Sequence, residues 1–142
     1  MTFSIGDFKK FCNENGFAFR KRLFGISKND SGKCDMFVET DDTLYSVKVF
    51  KLGEGAERVY FKSVGGYVTV KANGGETDYM WVRPDFEAKQ SNVKKNVFVL
   101  LLESDVAASY LAKNSATTVT AGAKVFDCVV HTPTSFAKLF NK

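Results

Sequence analysis

The chain has 142 residues, of which 44% are hydrophobic and 25% are charged, and its net charge is +4. This length and balance predict one globular domain over residues 1–142 and exclude a chain that is disordered along most of its length. The longest apolar run, VFVLLL at 97–102, is far shorter than the roughly 18–20 residues of a membrane-spanning helix. The first ten residues, MTFSIGDFKK, lack the pattern of a secretion signal. Because the sequence has neither a signal nor a long apolar run, we expect no membrane partner.

The cysteine content bears on the cellular location of the protein, and the mild basic charge bears on the kind of partner it binds. Three cysteines, an odd and scattered set, predict reduced thiols in an intracellular, cytoplasmic protein. The chain has 20 Lys and Arg residues against 16 Asp and Glu residues. This excess favours nucleic-acid binding only if the cations share one face of the fold.

The pattern along the chain predicts three helices and several hairpins. Apolar residues at helical spacing predict an N-terminal helix at 4–16. Ser104 can cap a mid-chain helix over 105–114, and Pro133 suits the first turn of a short C-terminal helix. Strand patterns are found at 17–26, 34–51, 58–72, 77–86, 97–103 and 116–130, and the last of these predicts a hairpin turning at 121–122. We therefore expect an α+β fold with one mainly antiparallel, curved sheet, in which 97–103 is a central strand.

Residues 34–51, CDMFVETDDTLYSVKVFK, predict the first hairpin. Its turn is expected at the two aspartates 41–42. Because strand side chains alternate between faces, this turn places Asp35 directly across from Lys48 and puts Glu39 on the same face as Asp35.

Residues 58–72, RVYFKSVGGYVTVKA, predict the second hairpin, with a two-residue turn at Gly65-Gly66. Val64 then lies opposite Tyr67. One face of the hairpin is apolar. The other carries no acidic side chain and consists of Arg58, Tyr60, Lys62, Tyr67, Thr69 and Lys71.

This basic, tyrosine-bearing face predicts a nucleic-acid contact, since bases stack on aromatic rings and phosphates bind cations. We therefore predict a small non-enzymatic binding protein with no cofactor. Its contact residues are Arg58, Tyr60, Lys62, Tyr67 and Lys71, with Arg20, Lys21 and Arg22 as further phosphate contacts. An ordinary solvent-facing sheet has a similar composition, because Tyr and Thr favour strands and Lys keeps a sheet soluble.

The first hairpin supports an alternative. Asp35 on one strand and Lys48 on the next resemble the catalytic core of the restriction-endonuclease-like nucleases, in which an Asp precedes a Glu-x-Lys on a neighbouring strand. The resemblance implies a Mg²⁺-dependent nuclease, active or degenerate, that uses Asp35, Glu39 and Lys48. Ser46 stands where that motif has its Glu, so Glu39 would supply the second carboxylate. A cross-strand ion pair is the simpler interpretation of the same residues.

Two further expectations complete the sequence analysis. The tyrosine-bearing face also suits a protein–protein adaptor or inhibitor, because Tyr and Arg are favoured at interface hot spots. His131, the only histidine, has no local zinc or nucleophile motif and is expected in a loop or beside a helix cap.

Overall fold

The computed structural model describes Lys10, residues 18–21 and residues 34–140, and the described strands form two sheets. The strands are β1 (Ala18–Lys21), β2 (Met36–Glu39), β3 (Thr43–Phe50), β4 (Ala56–Lys62), β5 (Tyr67–Ala72), β6 (Gly75–Met80), β7 (Lys95–Leu102), β8 (Ala107–Ala112), β9 (Ser115–Thr118), β10 (Lys124–Val125) and β11 (Cys128–His131). A 3₁₀ helix covers Phe86–Lys89, and the helix α1 covers Pro133–Lys138.

The two sheets mix hairpins with parallel strands. The six-stranded sheet has the order β1-β2-β3-β7-β11-β10, and the five-stranded sheet has the order β6-β5-β4-β8-β9. Antiparallel hairpins build the edges, whereas β7 runs parallel to both β3 and β11, and β4 runs parallel to β8. The chain passes from the larger sheet to the smaller one twice, from β3 to β4 and from β7 to β8.

The core lies on both faces of the six-stranded sheet. One cluster joins the two sheets and includes Phe50 and Leu102 from the larger sheet and Phe61 and Val68 from the smaller one. A second cluster covers the opposite face of the larger sheet and includes Phe136 of α1. Burial on both faces explains why β7 is apolar throughout its second half, and it confirms the prediction of a central strand there.

The predicted α+β fold with three helices and one sheet is wrong, since the described strands form two sheets. Strands account for 53% of the described residues. The segment predicted as a mid-chain helix forms β8, because pairing with β4 and β9 outweighs the helix propensity of its Ala and Leu residues. The C-terminal helix is confirmed, with Pro133 in its first turn and a capping box between Thr132 and Ser135. The predicted N-terminal helix lies outside the described residues except for Lys10, which is helical.

The first predicted hairpin is confirmed in its turn and its register. Met36 lies opposite Val47 and Glu39 opposite Leu44, the pairing that the two-aspartate turn predicts. The second hairpin forms with a register two residues away from the prediction, since Lys62 and not Val64 lies opposite Tyr67. A four-residue loop, 63–66, replaces the two-residue turn. Gly65 still has a positive φ, as predicted, and its value is 84°.

The third predicted hairpin is wrong, because its two halves belong to different sheets. β9 pairs with β8 in the smaller sheet, and β10 pairs with β11 in the larger one. The tight turn between β10 and β11 is formed by Phe126 and Asp127, which have φ values of 50° and 69°.

A hairpin that the sequence analysis missed joins β5 to β6 through Asn73-Gly74, a favoured pair for two-residue turns. β6 also ends at Met80, earlier than the predicted end near Pro84.

Candidate binding surface on the five-stranded sheet

The five-stranded sheet turns one face to the core and the other away from it. We call the second the outer sheet face, and on β4 and β5 it consists of the six residues Arg58, Tyr60, Lys62, Tyr67, Thr69 and Lys71. Their neighbours along each strand, such as Phe61 and Val68, are fully buried in the core between the sheets. The two-residue error in register left this division intact, because side chains alternate with a period of two.

The outer sheet face includes acidic side chains that the sequence analysis missed. In β6, Glu76 pairs with Lys71, and Asp78 pairs with Thr69. Asp78 accepts a hydrogen bond from the Thr69 hydroxyl, and its Oδ1 lies 3.7 Å from Nζ of Lys62. The β4–β5 hairpin itself contributes no acidic side chain to this face, as the sequence predicts, but β6, which shares the face, contributes two. The Asn73-Gly74 pair favours a two-residue turn, so it is the feature of the sequence that could have predicted the β5–β6 hairpin and thus the place of β6 on this face.

Arg58 and Tyr60 form a cation–π pair on this face. The guanidinium carbon of Arg58 lies 5.9 Å from the ring centroid of Tyr60, within the range of a cation–π contact. Nε of Arg58 is buried and has no hydrogen-bond partner among the described residues. The guanidinium group therefore has donor capacity that the described part of the chain does not use.

The end of the outer sheet face near the β4–β5 loop is apolar and exposed. Tyr67 and Met80 are cross-strand neighbours, and their exposed fractions are 36% and 67%. Val64 in the loop is 65% exposed. We call Val64, Tyr67 and Met80 the apolar corner. Its side chains are available for contact with a partner.

Two of the three basic residues predicted as further phosphate contacts lie on the other sheet. Arg20 and Lys21 belong to β1, whose backbone pairs with β2 at the edge of the six-stranded sheet. Arg22 lies outside the described residues. Arg20 and Lys21 thus belong to a different sheet from the outer sheet face.

The residues of the nuclease alternative are only partly brought together. Asp35 and Lys48 form an ion pair, with 3.4 Å between Oδ2 and Nζ, and their side chains are 0% and 3% exposed. Glu39 lies about 13 Å further along the strand, where its Oε2 pairs with Nζ of Lys94 at 3.1 Å. No group of three or more His, Cys, Asp or Glu side chains that could hold a metal ion occurs within the described ranges. This geometry fits the simpler interpretation, a cross-strand ion pair, and the nuclease alternative stays an untested prediction.

Cys34, Cys128 and His131 are three further potentially reactive side chains of the described residues, and all three are buried. Burial is the main cause that raises the pKa of Cys34 to about 12, and Asp35 and Asp85 add to it. Burial likewise raises the pKa of Cys128 to about 12. His131 lies directly before the capping residue of α1, which confirms its expected place beside a cap, and burial lowers its pKa.

No described helix has the length and apolar content needed to cross a bilayer. No protein-family model, curated protein or solved structure matches this chain.

Proposed function

We propose that this protein is a non-enzymatic binding protein that contacts single-stranded nucleic acid through its outer sheet face. The observation that supports this most directly is the arrangement of Tyr60 and Tyr67 among Arg58, Lys62 and Lys71 on one side of the sheet. Aromatic rings on a sheet surface offer stacking platforms for unpaired bases, at about 1–3 kcal/mol per base, and the interleaved cations suit the phosphates between them.

The charges on the outer sheet face limit the expected affinity. β4 and β5 contribute three cations, whereas Glu76 and Asp78 in β6 contribute two carboxylates. Lys62 lies close to Asp78, so a phosphate must compete for it. Three phosphate contacts on a single strand would give a slope of log K against log salt of about −2. We therefore expect weak binding that salt abolishes.

Fluorescence anisotropy tests the proposal. A labelled single-stranded oligonucleotide is titrated with the protein at several salt concentrations, beside an RNA of the same sequence and a duplex. Tyr67→Ala should weaken binding roughly 5- to 150-fold because a stacking platform worth about 1–3 kcal/mol is lost, whereas Tyr67→Phe keeps the ring and should bind nearly normally. Lys71→Ala should reduce the salt slope by roughly one, and Lys124→Ala, which removes an exposed cation of the other sheet, should leave it unchanged.

Two results would overturn the proposal. One is the absence of detectable binding to any of these nucleic acids at low salt. The other is binding that Tyr67→Ala and Lys71→Ala do not weaken more than Lys124→Ala does.

The apolar corner supports a second candidate function, that of a protein-binding adaptor or inhibitor. Exposed Met80 and Val64 contribute nothing to phosphate recognition, but methionine and tyrosine side chains are favoured at protein interfaces. In this case a protein partner captured after nuclease treatment should be lost with Met80→Asp and retained with Val93→Asp, a matched change at another exposed apolar residue. Equal retention by both variants would argue against the apolar corner as the contact.

A further inference from the structure

The strand β9 forms one edge of the five-stranded sheet, and no described strand pairs with its free side. Its four residues, Ser115–Thr118, are all exposed. The surrounding residues 114–123, NSATTVTAGA, include neither a charged residue nor a proline. Such an edge presents unpaired N–H and C=O groups to any other strand that reaches it.

The other edge strands of the two described sheets carry charges, which hinder pairing with a further strand. β6 has Glu76 and Asp78, β1 has Arg20 and Lys21, and β10 consists of two residues that include Lys124. Charged side chains and very short length are common protections of a sheet edge. Among the described strands, β9 alone combines an edge position with the absence of any charged side chain.

The hydrogen bonding between β8 and β9 shows which backbone groups of β9 are free. The N–H of Val119 donates to the carbonyl oxygen of Ala108 at 2.9 Å. Because every second residue of an antiparallel strand bonds to the same neighbour, the backbone groups of Thr117 also face β8. The N–H and C=O groups of Ala116 and Thr118 therefore point away from the sheet and offer two donors and two acceptors.

A second copy of β9 complements these free groups. In an antiparallel arrangement with Thr117 on a two-fold axis, Ala116 of each copy lies opposite Thr118 of the other, and their free groups all form hydrogen bonds. The two Thr117 side chains face each other, and a cross-strand pair of threonines is favourable. Lys113 and Lys124 border the uncharged segment and lie away from the axis, so they are not placed opposite each other.

The same arrangement is unfavourable at the β6 edge. Thr77 there holds the position that corresponds to Thr117, exposed near the centre of an edge strand. A two-fold axis at Thr77 places Glu76 of each copy opposite Asp78 of the other, and directly opposed like charges are destabilising. Pairing of β9 with a different edge strand is heterologous and continues into open-ended chains. The closed arrangement that the charges favour is therefore β9 with β9.

We propose that two copies of this chain associate through β9, about a two-fold axis at Thr117, and join their five-stranded sheets into one continuous sheet. Thr118 pairs with Ser109, which pairs with Tyr60, so Thr118 lies on the side of the outer sheet face. The outer sheet faces of both copies then lie on one side of the joined sheet, with the two β4 strands roughly 24 Å apart. The association does not depend on the proposed contact with nucleic acid, but it places two such contacts on one surface.

Small-angle X-ray scattering over a range of protein concentrations tests the association. An interface of two four-residue strands is small, so we expect a reversible monomer–dimer equilibrium with a dissociation constant on the order of 1 mM. Nuclease treatment prevents bridging by nucleic acid, and salt of about 0.3 M screens the repulsion between two chains of net charge +4. The apparent mass should rise towards twice that of the monomer. A protein that stays monomeric throughout, or that grows beyond a dimer, overturns the proposal.

Charge variants locate the contact. Thr117→Lys should weaken the association roughly fivefold or more, because two like charges then face each other across the axis. Thr77→Lys, the matched change on the β6 edge, should leave it unchanged. An equimolar mixture of Thr117→Lys and Thr117→Glu should associate again, because opposite charges then meet. Equal weakening by the two lysine variants, or a mixture that associates no better than Thr117→Lys alone, overturns the proposal.

Cysteine variants test the register, in a Cys12→Ser background whose two remaining cysteines are buried. Thr117→Cys places two thiols opposite each other with Cα atoms about 4.5 Å apart, within the span of a disulfide. Thr118→Cys places them diagonally, about 7–8 Å apart, beyond that span. Oxidised glutathione should therefore give a covalent dimer with the first variant and none with the second. Equal yields of covalent dimer would contradict the register.

Discussion

Asp35 and Lys48 face each other across the β2–β3 hairpin and form an ion pair inside the protein, with Oδ2 and Nζ 3.4 Å apart. Oδ2 of Asp35 also accepts a hydrogen bond from the backbone N–H of Val49 at 2.9 Å. Desolvation makes such a pair a weak source of net stability, but removing one partner leaves the other charge buried without the attraction of its counter-ion.

The first prediction follows from this asymmetry. Lys48→Met should lower the free energy of unfolding by about 3–5 kcal/mol, because the Asp35 carboxylate keeps its charge and loses its cation. Adding Asp35→Asn to Lys48→Met should restore most of the loss, since asparagine still accepts a hydrogen bond from Val49 N–H. Urea denaturation of the two variants measures the difference. A double variant as unstable as Lys48→Met would contradict this account.

The second prediction concerns His131 and pH. Because burial lowers its pKa below the unfolded value of about 6.5, the unfolded chain binds the proton more tightly than the folded chain. The contribution of His131 to stability is therefore fully present above pH 6.5 and is lost as the pH falls towards its folded pKa. His131→Gln should show a smaller decrease in unfolding free energy between pH 7 and pH 5 than the native sequence does. Parallel pH profiles for the two proteins would refute this assignment.

The third prediction concerns the thiols of Cys34 and Cys128. A pKa of about 12 leaves a thiolate fraction on the order of 10⁻⁴ at pH 8, and both side chains are buried. In a Cys12→Ser background these are the remaining thiols of the chain. A thiol-specific chromogenic reagent should react with neither thiol in the native protein within minutes and with both after denaturation. Rapid reaction of a full equivalent in the native state would contradict their buried environment.

The fourth prediction concerns the turn between β5 and β6. Gly74 has a φ of 80°, where a Cβ is strained, so Gly74→Ala should lower the free energy of unfolding by about 1–2 kcal/mol. Gly75→Ala is the matched control, since no positive φ is found there and the nearest atom to an added Cβ, the carbonyl oxygen of Ala72, is 3.8 Å away. We expect its effect to stay within about 0.5 kcal/mol in the same denaturation experiment. Equal costs for the two variants would show that the backbone conformation of Gly74 is not responsible.

The candidate surface illustrates how local pattern and tertiary pairing contribute separately. The alternation of side chains was sufficient to place Tyr60 and Lys62 on one face, even though the register of their hairpin was misjudged by two residues. The same local pattern did not reveal Asp78, which reaches Lys62 through a third strand. The charge of a sheet face depends on all the strands that share it, so a single hairpin gives an incomplete picture.

Helix propensity does not predict the secondary structure of the mid-chain segment 105–114. Residues 105–114 contain good helix formers, but this part of the chain follows β7 into the second sheet and pairs with β4 as β8. That pairing joins residues almost fifty positions apart, such as Arg58 and Ala107, and no feature within the segment specifies it.

The sequence by itself determined the first hairpin, the central position of β7, the capped C-terminal helix and the residues that β4 and β5 place on the outer sheet face. Each of these depends on period-two alternation, turn chemistry or capping within a few neighbouring residues. The tertiary structure alone decided the division into two sheets, the parallel pairs β3–β7 and β4–β8, and the position of Asp78 beside Lys62. These features arise from contacts between distant segments, whose free energy comes from burying apolar faces against each other and not from the preferences of any one segment.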